Sequence, residues 1–224
     1  MGDEPMPPDT WALAMSPVRM TDGRLLNWHP PQPVAFNLVE AKRYCDRASK
    51  QRRQILGNLR LRPNDAYQPA NTRAVVDCLS ELSIAVLCSF TAIESLANHS
   101  IDQLDDDSMV RISLRKRETI DVPKVDMVRR LNIDEKLTIV VPMLDHGRHI
   151  KGTRPWERFV HLKKLRDDLL HVKQRGYSPD PDERTAYDRL LLGDGDTCAR
   201  DAFEIVRAAR PDFLPDHVVE VFQP

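Results

Sequence analysis

Glycine and aromatic residues are scarce in this sequence, and paired cysteine spacings and long apolar runs are missing. Only 8 glycines occur in 224 residues, which argues against an all-β fold built on repeated tight turns. The four cysteines, Cys45, Cys78, Cys88 and Cys198, form no CxxC pair, and Cys78 and Cys88 fall inside an apolar helical pattern. They read as small core residues in a reducing compartment, not as a disulfide frame or a zinc site. The longest apolar stretch, LSIAVLCSFTAI (82–93), has 12 residues between Glu81 and Glu94, too few to cross a bilayer. The N-terminus, MGDEPMPPDT, is acidic and proline-rich with no apolar run behind it, so no signal peptide is expected. Together these absences predict a cytoplasmic chain with no membrane segment.

What is present fits a folded helical protein. Hydrophobic residues make up 41% and charged residues 30%, enough to build a core and too apolar for disorder. The net charge of −1 hides an asymmetry. Residues 37–62 carry eight basic and two acidic side chains, 148–175 nine and three, and 176–224 five and eleven. A basic run is ordinarily a solvated helix face, but two of them in one chain make a polyanionic partner worth considering.

Residues 1–35 are proline-rich and read as an extended arm without a core, and 36–224 as one helical domain. Helical periodicity predicts a first helix over 36–60, closed by Pro63, and a second over 70–101. The second is apolar almost all round, as expected of a helix inside a bundle. The acidic break DQLDDD (102–107) lacks the glycine and glutamate of a calcium loop. A short β-hairpin is plausible over 110–122, followed by two short helices over 123–144 with Asn132 or Asp134 as a cap. A loop over 145–153 leads to a helix over 154–175, with Pro155 in its first turn and Gly176 at its end. Two helices follow over 182–192 and 195–209, and HVVEVF reads as a short strand or a loose tail. The predicted fold class is all-α.

The helix over 154–175 contains an oddity. Phe159, Leu162, Leu165, Leu169 and Val172 form one apolar stripe, and at about 100° per residue His171 points away from it. Arg166, Asp167, Leu170 and His171 then share a face that would otherwise be plain solvent. An Arg-x4-His spacing alone is cheap: the chain holds a second one, Arg24–His29, in the arm.

The context adds weight. AIESLANHSI late in a buried helix is followed by an intervening excursion and DEKLTIVVPML. Then come WERFVHLKKLRDDLLHVK and DTCARDAFEIVRAA. This order over residues 70–210 resembles the HEPN superfamily of helical nucleic-acid-processing domains. The family signature is Arg, a polar residue, three further residues and His in a late helix, which Arg166, Asp167 and His171 match. The resemblance implies a HEPN-like bundle and metal-independent endoribonuclease activity, with no cofactor and no metal, leaving a 2′,3′-cyclic phosphate. Arg166 and His171 would be catalytic. Histidine can take either proton role near neutral pH, and arginine offers a fixed charge and a fork that fits phosphate oxygens. Asp167 would orient His171 or hold Arg166. Glu94 and Asn98 are supporting candidates, or a buried hydrogen-bonded pair without a chemical role.

Some toxin members of the family carry a modified tyrosine two residues after the histidine. Lys173 stands there, so that control is not carried over. Arg166 and His171 project about 140° apart and lie about 7.5 Å apart along the axis, so one helix does not make a compact acid–base pair. The expectation is a homodimer whose shared cleft is flanked by Lys163, Lys173 or Arg175 and receives RNA. A toxin or antiviral-defence effector with an antitoxin or defence-system partner follows from the same resemblance. The alternative is a non-catalytic HEPN-like module that binds RNA or a protein partner.

Overall fold

The structure, a computed structural model, describes residues 16–28, 31–57, 72–113, 119–171 and 185–223. The chain divides into two units, Met1–Gln32 and Pro33–Pro224. The first is not simply an extended arm. It contains an antiparallel hairpin of β1 (Ser16–Arg19) and β2 (Leu25–Trp28), in register from Ser16↔Trp28 to Arg19↔Leu25. Gly23, at φ 84°, makes the turn, where a side chain would be strained.

The second unit is mainly α-helical. Helix α1 (Pro33–Gly57) opens on proline, whose missing N–H costs nothing in a first turn. Helix α2 (Thr72–Asp102) is the central strut. By length and composition it could cross a membrane, with a window of mean hydropathy 1.7. Here Leu82, Val86, Phe90, Ile93, Leu96 and Ala97 are buried against α1, α5 (Arg154–Leu170) and α7 (Cys198–Ala209).

A smaller core lies beyond the end of α2. Strands β3 (Met109–Ser113) and β4 (Thr119–Pro123) form the hairpin anticipated over 110–122. The two-residue period of β3 sends Val110 and Ile112 inward, where they join Ile101, Val122, Met127 and Leu131. Arg111 and Asp121 pair across the outer face.

The segment after the hairpin is less regular than two short helices. Helix α3 (Lys124–Arg130) is followed by α4 (Ile133–Glu135), whose Asn132 and Glu135 form a reciprocal capping box. The chain then widens into a π-helical turn, Lys136–Val140, and tightens into a 3-10 turn, Val141–Met143, that contains Pro142. Two other expectations are corrected. Helix α5 ends at Leu170, not at 175. Among the described residues of its stripe Phe159, Leu162 and Leu165 are fully buried and Leu169 packs partly, so the core holds the last turn weakly. Residues 172–176 lie outside the described residues. HVVEVF is neither strand nor tail: it lies mostly in helix α8 (Asp216–Val221). Helical spacing lets Val218 and Phe222 enter the core together, with Phe222 stacked on Phe203 at 4.4 Å. That burial overrides the strand preference of the valines. Between α5 and α7 lies α6 (Ala186–Leu192), capped by a Thr185–Asp188 box.

Candidate active site on helix α5

Helix α5 carries most of the residues singled out above, and its cations serve different ends. Arg158 pairs with Asp201 at 3.1 Å and with Glu204, tying α5 to α7. Lys163 donates to Asp134 at 2.6 Å, tying α5 to α4. The carboxylate of Asp168 accepts from Arg189 at 2.7 Å, tying α5 to α6. These ion pairs are half-buried struts between elements. Lys163, expected to flank the cleft, has its ammonium in one of them.

Arg166 is placed otherwise. Its side chain is only 21% exposed, because the guanidinium lies over the Phe90 ring of α2 at 3.9 Å from the centroid. This corrects the expectation of a solvent-facing arginine. Seven residues turn a helix through about 700°, which brings Arg166 within about 20° of Phe159. That period was the available signal. The ion pair of Arg166 is with its neighbour Asp167, at 3.1 Å, and its Nε is buried without an acceptor. Among the described residues no acid on another helix holds it.

His171 follows the last helical residue. Its N–H closes the helix on the Asp167 carbonyl at 2.9 Å, and its own backbone leaves the helix at φ −112°, ψ 45°. The imidazole is exposed. Asp167 is thus linked to both residues, through its carboxylate to Arg166 and through its backbone to His171. Leu170, next in line, is 54% exposed. Lys173 and Arg175 lie outside the described residues.

Glu94 and Asn98 have a different focus. Lys136, in the π-helical turn, donates to Asn98 Oδ1 at 2.8 Å and to the Val128 carbonyl at 2.9 Å. The lysine is only 8% exposed. Burial pulls its pKa below the usual 10.5, while the charge of Glu94 works in the other direction. Phe90, Glu94 and Asn98 follow one another at four-residue steps along α2. The same side of α2 thus carries Arg166 at one end and Lys136 at the other. Nothing in the sequence singled out Lys136, because its partners come from two other elements.

A further set of cations lies at the opposite end of α5. Arg148, Lys151 and Arg154 are exposed and have no ion-pair partner among the described residues. Their loop is well defined: the Arg148 N–H donates to the Ala209 carbonyl at 2.9 Å. At Gly147 a Cβ would collide with the Val141 carbonyl, so the loop lies directly on the backbone of the 3-10 turn. The basic excess over 148–175 was the signal for this set.

Among the described residues no group of three or more His, Cys, Asp or Glu side chains is arranged to hold a metal ion. Comparison with family models, with curated proteins and with solved structures found no match to this chain.

Proposed function

We propose that this chain is a cytoplasmic, HEPN-type endoribonuclease, a toxin or antiviral-defence effector, that cuts RNA without a metal ion at Arg166 and His171. The reading rests on the Arg166-Asp167-x3-His171 pattern and on one structural observation. Arg166 is the basic residue of α5 that is half-buried and yet, among the described residues, tied to no other helix by an ion pair, while the imidazole at the helix end is exposed. The Phe90 ring carries the guanidinium, and a phosphate oxygen would take up its fork in exchange for the Asp167 carboxylate that now pairs with it. His171 would remove the 2′-hydroxyl proton or protonate the 5′-oxygen, and Arg166 would neutralise the pentavalent phosphate. One imidazole does not serve both proton roles in one step, so the second comes from a partner copy across a two-fold axis.

A second reading is favoured by the ion pair of Lys163 and by the position of the unpaired cations. Arg154 opens the 17-residue helix that His171 follows, so the two lie about 25 Å apart, with Arg148 and Lys151 in the loop just ahead of Arg154. That spacing suits holding a strand without cutting it. One experiment separates the two: RNA is incubated with the wild type or with His171→Ala in excess chelator, and both cleavage and binding are measured. Cyclic-phosphate ends made by the wild type alone support the nuclease. Intact RNA with equal binding by both proteins supports the binding module.

A further inference from the structure

The four cysteines are not equivalent in the fold. Cys78 donates to the Ala48 carbonyl at 3.6 Å, and Cys88 is half-buried elsewhere on α2. Cys45 of α1 and Cys198, the first residue of α7, meet each other. Their sulfurs are 3.3 Å apart although 153 positions separate them in the chain. They are 4% and 2% exposed.

We infer that Cys45 and Cys198 are a redox-active dithiol, which a hydroperoxide converts into a disulfide joining α1 to α7. The usual role of a buried cysteine is that of a small apolar residue, and for that role sulfur-to-sulfur contact is not needed. Here the two sulfurs need approach by only a little over 1 Å to reach the ~2.05 Å of a disulfide bond. The pair is also polarised. The contact with Cys198 draws the Cys45 pKa below the usual thiol value, whereas that same contact and burial push Cys198 well up. Cys45 is therefore the more acidic thiol of the pair, which suits it to be the first nucleophile.

Access runs through the loop 193–197, because the Gly195 carbonyl lies 3.8 Å from the Cys45 sulfur. Gly193 has φ +112°, where any other residue would be strained, and a Cβ on Gly195 would press on the end of the Leu190 side chain at 2.8 Å. The loop is fastened to α1 by the ion pair of Arg52 with Asp196, at 2.7 Å in one of its two bonds. Release of that pair would uncover the sulfurs without unfolding either helix.

The chemistry balances with one equivalent of hydrogen peroxide. The Cys45 thiolate attacks one peroxide oxygen, the O–O bond breaks, and the departing hydroxide takes a proton to become water. The Cys198 sulfur then attacks the Cys45 sulfenic acid, the S–O bond breaks, and the Cys198 proton leaves with a second water. Two thiols are oxidised by two electrons, and one peroxide is reduced. This inference does not depend on the nuclease reading.

The test uses the full reduced chain, treated with graded hydrogen peroxide at neutral pH and then denatured and alkylated. Reactive thiols should fall from four to two, and non-reducing peptide mapping should find Cys45 linked to Cys198. Cys78→Ser and Cys88→Ser proteins should still form the link, while Arg52→Ala should form it several-fold faster. Four thiols remaining at an excess of peroxide that oxidises free cysteine would overturn the assignment. So would a link through Cys78 or Cys88. The wild-type map decides the matter even where a Cys45 variant fails to fold.

Discussion

The guanidinium of Arg166 lies over the Phe90 ring, 3.9 Å from its centroid, so the charged residue of the candidate site is seated on the core of the bundle. One arginine thus joins the packing of α5 on α2 to the chemistry proposed at the end of α5. Stability and activity should respond to it separately.

Arg166→Ala should cost roughly 0.5–2 kcal/mol of stability, the range of a partly desolvated cation–π contact. Arg166→Lys should recover part of that, because an ammonium still sits over the ring. RNA cleavage should nevertheless fall about 10- to 100-fold in the lysine variant, because the two-pronged bond to phosphate is lost. Urea unfolding and cleavage rates of the two variants check this. Wild-type rates in Arg166→Lys would reduce the residue to a point charge.

Lys136 predicts a pH dependence of stability. Burial lowers its pKa below the usual 10.5, with Glu94 opposing. Between the lowered value and 10.5 the folded state binds fewer protons than the unfolded chain, so stability rises with pH across that window. Below the window the buried ammonium is charged and carries its full desolvation cost. Lys136→Met should be less stable by about 1–3 kcal/mol at neutral pH, since Asn98 and Val128 lose their donor. Its stability should lack the rise, and urea midpoints measured upward from pH 8 should show the wild type gaining on the variant. Parallel curves would mean that Lys136 titrates as it does in water.

The contrast between these two residues shows how far the sequence could be read. Helix α2 was plain because its period is long and its apolar residues recur around most of the wheel. The cap of α4 was narrowed to Asn132 or Asp134, because caps are local signals, and the reciprocal bonds of Asn132 with Glu135 settle it on Asn132. Periodicity also carried α5, but its end depended on how much core lay beneath the last turn. Leu169 is only partly covered there, and no pattern along the chain shows that. Lys136 was hidden for a similar reason. Its partners, Asn98 and Val128, are 38 and 8 positions away and meet it only after the chain has turned twice. His171 was found by its spacing from Arg166, yet its place just outside the helix came from the fold.

The basic loop ahead of α5 should set how RNA binding responds to salt. Each cation that neutralises a phosphate of a single strand contributes about 0.7 to the slope of log affinity against log salt. Replacing Arg148, Lys151 and Arg154 together by alanine should therefore lower that slope by about 2. All three are exposed and unpaired among the described residues, so thermal stability should hardly change. Filter binding across a range of potassium chloride provides the slope. An unchanged slope would place the RNA elsewhere on the molecule.

Leu170 bears on whether the site needs a second copy. It is 54% exposed directly before the exposed His171, at the end of a helix whose other leucines are buried or partly buried. A single exposed leucine is common on a monomer surface, so its position beside the catalytic candidate is what matters. If α5 ends meet across a two-fold axis, the two leucines pack together and bring two imidazoles to one phosphate, one as base and one as acid. Leu170→Asp should then place like charges at the centre of the seam and split the dimer, with loss of cleavage. Helical content should stay intact, because the residue is not part of the core. Sedimentation of both proteins at micromolar concentration, with cleavage assayed on the same samples, tests the seam. A monomeric wild type that still cuts RNA would mean that one chain supplies both proton-transfer groups, and His171 would then need a partner from within its own bundle.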